Sequence, residues 1–141
     1  MQSSEVISIV ALLVSIIAIP IGYFLGARNA RHNAHNEAID SLQELCNKIF
    51  EDALRVHKQA ASLNEGDFHL MIAYHKRLQG KCTEIMELAQ NDFYPNIEIR
   101  EVKKVTTNQL FSDDLTVRNI AIRSLIYKLH AVHSKYHKKF I

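Results

Sequence analysis

The sequence predicts an all-α protein in which one N-terminal transmembrane helix continues into a cytoplasmic up-down four-helix bundle. The chain has 141 residues, 48% of them hydrophobic, which suffices for one packed domain beside an anchor. Only four Gly and two Pro interrupt it, fewer than a β-sandwich or barrel needs for its turns. Apolar residues also recur with a helical period over most of the chain, which favours helices throughout.

Residues 6–25 form an apolar stretch of 20 residues without a charge. At about 1.5 Å per residue, this stretch covers roughly 30 Å, the hydrocarbon thickness of a bilayer. A cleaved signal peptide is the alternative, but it has a basic start, and residues 1–5 contain no Lys or Arg. We therefore predict a short extracytoplasmic segment at residues 1–5, a transmembrane helix at residues 6–26 and a cytoplasmic helical bundle at residues 27–141.

The residues that flank this span predict its orientation. Arg28 and Arg31 follow the span directly, and the next acidic residue is Glu37. The positive-inside rule then places the C-terminal side in the cytoplasm and the N-terminus outside, in the inner or plasma membrane of the cell. Cys46 and Cys82 would lie in a reducing compartment, so we expect both to remain thiols in the protein core.

Small residues recur along one face of the predicted span, three or four positions apart. Because lipid provides no hydrophobic drive between helices, small residues that let two backbones approach are a main route to association. This face predicts a homo-oligomer formed through the span, with a passive anchor as the alternative. Its residues are Ser8, Ala11, Ser15, Ala18, Gly22 and Gly26. Pro20 removes one backbone hydrogen bond in the middle of the span and predicts a kink there.

Apolar residues in the cytoplasmic part alternate at spacings of three and four, which is typical of helices that pack on partner helices. The first helix is predicted to run on from the span to Leu63. Gly66 is predicted to end it in the left-handed conformation, and Asp67 to cap a second helix over residues 68–89. The first apolar seam contains Ile39, Leu42, Cys46, Ile49, Ala53, Val56, Ala60 and Leu63.

A loop is predicted at residues 91–96, followed by a stretch whose structure the pattern leaves open. Residues 97–110 fit a helix slightly better than a strand, but their valines and threonines also favour a strand. Ser112 is predicted to cap a last long helix that returns towards the membrane. Its basic end would then contact anionic lipid. The predicted membrane-contact residues are Arg28, Arg31, Lys135, Lys138 and Lys139.

Three histidines, His130, His133 and His137, are spaced to share one face of the last helix. Imidazoles placed in this way can bind zinc or another transition metal. The neighbouring lysines Lys135 and Lys138 oppose a metal ion electrostatically, so the main prediction is a solvated histidine face with no metal and no cofactor.

Arg123 and His130 have the spacing Arg-x6-His. On an all-helical chain this spacing is similar to the active motif of HEPN ribonucleases, in which the Arg and His of two subunits meet and cleave RNA. The resemblance implies a catalytic pair of Arg123 and His130. Other catalytic signatures, such as a Gly-rich phosphate loop, GxSxG, HExxH or CxxC, are absent from the sequence. The net charge of +2 is too small to indicate a nucleic-acid partner.

The sequence therefore predicts a non-enzymatic, single-pass membrane protein whose helical domain binds a second copy, a cytoplasmic partner protein, or both. Its expected partners are the lipid bilayer, itself and that protein. Two alternatives stay open: an effector that perturbs the bilayer through oligomerised spans, and a membrane-tethered ribonuclease similar to the HEPN family.

Overall fold

The computed structural model describes residues 3–59 and 65–140, and the described part is helical without a strand. Its elements are α1 (Ser3–Lys58), α2 (Glu65–Ala89), α3 (Asn96–Thr107), a 3₁₀ turn (Gln109–Phe111) and α4 (Leu115–His133). The all-α class is thus confirmed, with four α-helices. Residues 97–107, which the pattern left open, are helical. The β-prone Thr106 fits there because its hydroxyl donates to the Val102 carbonyl (3.0 Å).

The helix α1 continues through Pro20 and past the apolar stretch for 56 residues. The prediction that one helix joins both parts of the chain is therefore confirmed as far as Lys58. Residues 5–28 are exposed, and the buried positions of α1 begin at His35. The predicted seam positions Ala60 and Leu63 lie outside the described residues.

One hydrophobic core joins the second half of α1 to the other three helices. Each seam residue predicted between Ile39 and Val56 is buried, which confirms the 3,4 pattern as a packing surface. Burying one aliphatic side chain of this kind contributes about 1.5–3 kcal/mol. The other helices and the 3₁₀ turn contribute Met71, Tyr74, Leu78, Cys82, Ile85, Ile99, Val102, Val105, Leu110, Ala121, Ile122, Leu125, Leu129 and Val132.

Polar contacts between α1 and α2 fix the relative direction of these helices. The Tyr74 hydroxyl donates to Asp52, and Arg55 pairs with Asp67 (3.5 Å), so α2 begins beside the last turns of α1. Because α2 then runs back along α1, the two helices are antiparallel.

The helix α4 also runs opposite to α1. His57 and Asn119 share a hydrogen bond (2.9 Å) at one end of the pair, and Lys138 pairs with Asp40 (2.8 Å) just beyond the other end. Two ion pairs connect α3 to α4 and to the segment after it, Glu101–Lys128 (2.7 Å) and Glu98–Lys135 (3.1 Å). These contacts hold α3 antiparallel to α4.

Two predicted helix starts are wrong by a few residues. The cap of α4 is Asp114 instead of Ser112, because the extended backbone of Asp114 lets its carboxylate accept from the Thr116 N–H (2.7 Å). Ser112 instead accepts from the Asp114 N–H (3.2 Å) in the preceding turn. The helix α2 already begins at Glu65, so Gly66 lies inside it, and neither the left-handed role of Gly66 nor the capping role of Asp67 is found.

The predicted extension of α4 through residues 135–139 is also wrong. This helix ends at His133, and the chain then leaves the helical path in a segment, residues 134–140, that returns along α1. The Tyr136 ring explains the turn, because it packs against the core and meets Phe93 edge-on (ring centroids 6.0 Å apart).

The end of α2 contains a residue under conformational strain. Gln90 has φ of 55°, and its N–H bonds the Glu87 carbonyl (3.2 Å) while the Asn91 N–H bonds the Met86 carbonyl (3.4 Å). This is a Schellman motif with glutamine at the left-handed position that glycine occupies without steric cost.

We expect Gln90→Gly to raise the free energy of unfolding by about 0.5–1 kcal/mol, since glycine relieves the left-handed strain. Thermal unfolding followed by circular dichroism measures the change. Gln79→Gly, at an exposed position inside α2, is the control and should destabilise by about 1 kcal/mol. Destabilisation by both variants would contradict the strain at Gln90.

Candidate functional site

The apolar stretch of α1 lies outside the packed part of the molecule. Among the described residues, α1 is the helix long and apolar enough to cross a membrane, and none of its most apolar 18-residue window is buried. Every large hydrophobic side chain in residues 6–25 is between 45% and 79% exposed. This segment therefore does not serve as a core helix of the domain described above.

The small-residue face (Ser8, Ala11, Ser15, Ala18, Gly22 and Gly26) is exposed. Apart from its chain neighbours and the surrounding helix backbone, a Cβ placed on Gly22 or on Gly26 would meet no atom within 4 Å. The Ser15 hydroxyl donates to the Ala11 carbonyl (2.9 Å), so this polar group is satisfied within the helix. The face thus offers space in which a second helix backbone can approach.

A cavity of about 350 Å³, here called the basic cleft, lies at the inner end of the apolar stretch. Three different parts of the chain form it: α1, the end of α2 and the segment after α4. Among the residues that the structure describes, its lining contains four basic or imidazole side chains and no acidic one. The lining residues are Phe24, Ala27, Arg28, Arg31, His32, Leu88, Gln90 and Lys139.

The Asn36 side chain fixes the segment after α4 onto α1. Its Nδ2 donates to the Lys139 carbonyl (2.9 Å), and its Oδ1 accepts from the Lys139 N–H (2.8 Å). The Lys139 Nζ donates to the Ala89 carbonyl (3.3 Å) at the end of α2. These bonds bring Lys139 beside Arg28 and Arg31, which belong to a part of the chain more than 100 residues earlier.

The five basic residues predicted to contact lipid differ in their surroundings. Within residues 3–59 and 65–140, neither Arg28 nor Arg31 makes an ion pair with an acidic group. Lys135 pairs with Glu98 (3.1 Å) and Lys138 with Asp40 (2.8 Å). The structure thus brings Lys139 together with the two arginines, whereas Lys135 and Lys138 neutralise acidic groups of the domain.

Arg123 and His130 are both exposed and lie two helical turns apart on α4. Tyr127, between them in sequence, is 76% exposed. His130 also lines a cavity of about 140 Å³ between α1 and α4, beside Phe50 and Ile126. No acidic side chain lines that cavity. The catalytic pairing of Arg123 with His130 stays a prediction.

The three histidines considered as metal ligands do not share one helical face. The helix α4 ends at His133, so His137 lies beyond it and loses the register that the spacing assumed. In the described part of the chain, no three His, Cys, Asp or Glu side chains are grouped closely enough to hold a metal ion. Burial lowers the pKa of His133, and neighbouring His130 and Lys138 lower it further.

Cys46 and Cys82 are free thiols in the core, as predicted. Burial raises the pKa of Cys46 to about 12, with Cys82 adding to the shift, and burial also raises the pKa of Cys82. Because the thiolate is the reactive form, burial disfavours the reactive state of both side chains.

Two further histidines, His35 and His75, are buried. Within the described residues, the Nδ1 atom of each has no hydrogen-bond partner. Burial lowers the pKa of both side chains, with Lys139 and His32 adding to the effect at His35 and Lys103 at His75. Folding therefore favours the neutral imidazole at both positions.

We expect acidification to destabilise the domain. In the unfolded chain these imidazoles bind protons near pH 6.5, whereas the folded chain resists protonation, so stability falls as pH drops through about 6.5 towards the lowered native values. The melting temperature between about pH 7 and 5 measures this slope. His35→Gln with His75→Gln should make it shallower, while the exposed control His69→Gln should not. An unchanged slope in the double variant would contradict this assignment.

Comparison of the chain with protein-family models, with curated proteins and with solved structures finds no match. The function is therefore inferred from the residues of this chain and from their arrangement. The features that bear on it are the exposed apolar stretch, the small-residue face and the basic cleft.

Proposed function

We propose that this chain is a single-pass membrane protein with its N-terminus outside and its helical domain in the cytoplasm, where it self-associates, recruits a partner protein, or both. The observation that carries the proposal is the exposed apolar stretch of α1. In water, each such exposed side chain forgoes about 1.5–3 kcal/mol of favourable burial. A bilayer removes this cost because it covers all sides of the helix at once.

The charges beside the stretch support the orientation. Arg28 and Arg31 lie within two turns of its inner end, and residues 6–25 contain no charge of their own. Arginine on this side favours a cytoplasmic location for the domain. The antiparallel contacts of α2 with α1, and of α4 with both α1 and α3, support an up-down four-helix bundle as the form of that domain.

A cleaved signal sequence is the direct competitor of the anchor. The intact mass of the protein extracted from membranes separates the two, because an anchor keeps residues 6–26 and a signal sequence loses them. Recovery of a chain that begins after residue 26 would overturn the proposal.

Self-association through the small-residue face gives a specific prediction. Gly22→Leu with Gly26→Leu should abolish crosslinked dimers or larger species in membranes, since leucine keeps the two backbones apart. The control Ile17→Phe adds bulk away from this face and should leave the crosslinking unchanged. A wild-type chain that is monomeric, or a double variant that still crosslinks fully, would contradict the proposal.

A membrane-perturbing effector is a second candidate, favoured by the same open face and by Pro20 inside α1. Vesicles loaded with a fluorescent dye distinguish it from an interaction protein. Dye release by the wild type and none by the glycine double variant would favour the effector, whereas intact vesicles with both chains would exclude it.

A ribonuclease similar to the HEPN family is a third candidate. It is favoured by the joint exposure of Arg123 and His130 on α4, beside the exposed Tyr127, where a second copy has access to both groups. Cleavage of RNA by the purified chain, lost in His130→Ala, would support it. The same RNA left intact by the wild type would exclude it.

A further inference from the structure

Two cavities meet at Phe24, at the inner end of the apolar stretch. One is the basic cleft. The other, about 320 Å³ in volume, is lined by Pro20, Ile21, Phe24 and Leu25, all of them apolar. Because Phe24 lines both cavities, the basic cleft and the apolar groove on the surface of α1 lie next to each other.

We propose that these cavities together bind one anionic phospholipid, with its phosphate in the basic cleft and an acyl chain along the apolar groove. This inference rests on the membrane insertion proposed above and adds a ligand class to it. A zwitterionic lipid fits the same shape but lacks the net charge that the cleft favours.

The charges of the cleft match a phosphate monoanion. Arg28, Arg31 and Lys139 supply three cations, and among the described residues no carboxylate lines the cavity to compensate them. Arginine binds phosphate through two parallel N–H groups, which gives it geometric preference as well as charge. Leu88 and Phe24 provide the apolar boundary on which the glycerol part of a lipid packs.

The position of the cleft along α1 matches the depth of lipid phosphates. At about 1.5 Å per residue, the Cα atoms of Arg28 and Arg31 lie about 5 and 9 Å beyond Leu25. The polar region on each side of a bilayer is roughly 5–8 Å thick, so the Cα atom of Arg28 lies within it and that of Arg31 lies just beyond its outer edge, within reach of the long arginine side chain. The exposed rings of Tyr23 and Phe24 lie at the boundary itself, where aromatic side chains are enriched.

Lys139 is held in place before any lipid binds. The Asn36 amide bonds both backbone groups of Lys139, and the neighbouring Lys138 pairs with Asp40. A lysine whose backbone is fixed in this way loses little backbone freedom when it meets a phosphate, so its binding costs less than that of a lysine in a mobile segment. The cleft thus differs from a diffuse basic surface.

The absence of tryptophan from the chain allows a direct test. In the full chain carrying Tyr23→Trp, reconstituted in phosphatidylcholine vesicles, a minor fraction of brominated phosphatidylglycerol should quench the fluorescence more than the same fraction of brominated phosphatidylcholine. Removing one cation should lower this preference about fivefold. We therefore expect such a loss for Arg31→Gln and for Lys139→Gln, and none for the control Arg77→Gln on the exposed side of α2.

Other results of this quenching experiment would overturn either the lipid site or the membrane anchor. Equal quenching by the two lipids in an inserted chain, or an equal loss in Arg77→Gln, would overturn the lipid site and leave the anchor intact. The absence of quenching by either lipid would refute the anchor itself. Excess soluble glycerol phosphate should leave the preference unchanged, and displacement by it would assign the cleft to a free phosphate compound and overturn the lipid assignment.

Discussion

Replacing Leu42 by alanine is expected to lower the free energy of unfolding of the helical domain by about 3 kcal/mol. Leu42 has no exposed surface and lies in the core of α1, at the level where the other helices pack on it. Removing three of its carbons leaves a cavity that the rigid helices around it fill only in part. Since domains of this size are stable by about 5–15 kcal/mol, the loss is a large share of the total.

Chemical unfolding of the full chain in mild detergent, followed by circular dichroism, measures the effect of Leu42→Ala. Leu12→Ala is the matched control, because Leu12 is a leucine of the same helix that is 62% exposed and outside the core. The control should leave the unfolding midpoint of the domain unchanged. If both variants lost equal stability, the division of α1 into an apolar stretch and a core helix would be wrong.

Leu13→Lys combined with Ile16→Lys is expected to release the chain from membranes. Both side chains are more than half exposed in the middle of the apolar stretch. Each lysine costs about 3 kcal/mol at the centre of a transmembrane helix, so the pair makes the free energy of membrane insertion less favourable by about 6 kcal/mol. The fraction of chain that floats with vesicles in a density gradient measures the change.

The same charge added elsewhere on α1 should have no such effect. Gln43→Lys with Asn47→Lys places two lysines on the exposed side of the second half of the helix. This control variant should float like the wild type. Flotation of the Leu13→Lys, Ile16→Lys variant at the wild-type level would mean that the apolar stretch does not hold the chain in the bilayer.

The helices α1, α2 and α4 were predictable because their signals are local, whereas the pattern left the stretch that forms α3 open. The apolar run to Leu25 and the 3,4 seam from Ile39 to Val56 depend on residues within one helix, and both were found as predicted. The ends of the helices were harder to predict from the sequence. Ser112 and Asp114 are both good capping residues, and the choice depends on a backbone bend that the one-dimensional pattern does not contain.

The end of α4 was mispredicted for a tertiary reason. Lysines and histidines after His133 satisfy the expected composition of a last helical turn, so the sequence favours continuation. The chain instead leaves the helical path after His133, because the Tyr136 ring packs against the core and the Asn36 side chain hydrogen-bonds the backbone of Lys139. These contacts join residues about 100 positions apart, and no local pattern indicates them.

In the candidate site, too, the features that depend on local sequence were predicted and those that depend on tertiary contacts were not. Arg28 and Arg31 were predicted as membrane-contact residues from their position beside the apolar stretch. Lys139 was predicted too, but as part of a helix end, whereas its place in the basic cleft depends on Asn36 and Ala89. The cleft itself was missed because three separate segments must fold together before it exists.

Membrane integration is the central claim, and extraction of membranes with alkaline carbonate tests it most directly. This treatment opens vesicles and removes proteins held by charge or by protein contacts, while a transmembrane helix stays in the lipid pellet. The exposed, uncharged residues 6–25 of α1 predict that the full-length chain remains entirely in the pellet. Release of the full-length chain into the supernatant would contradict the account.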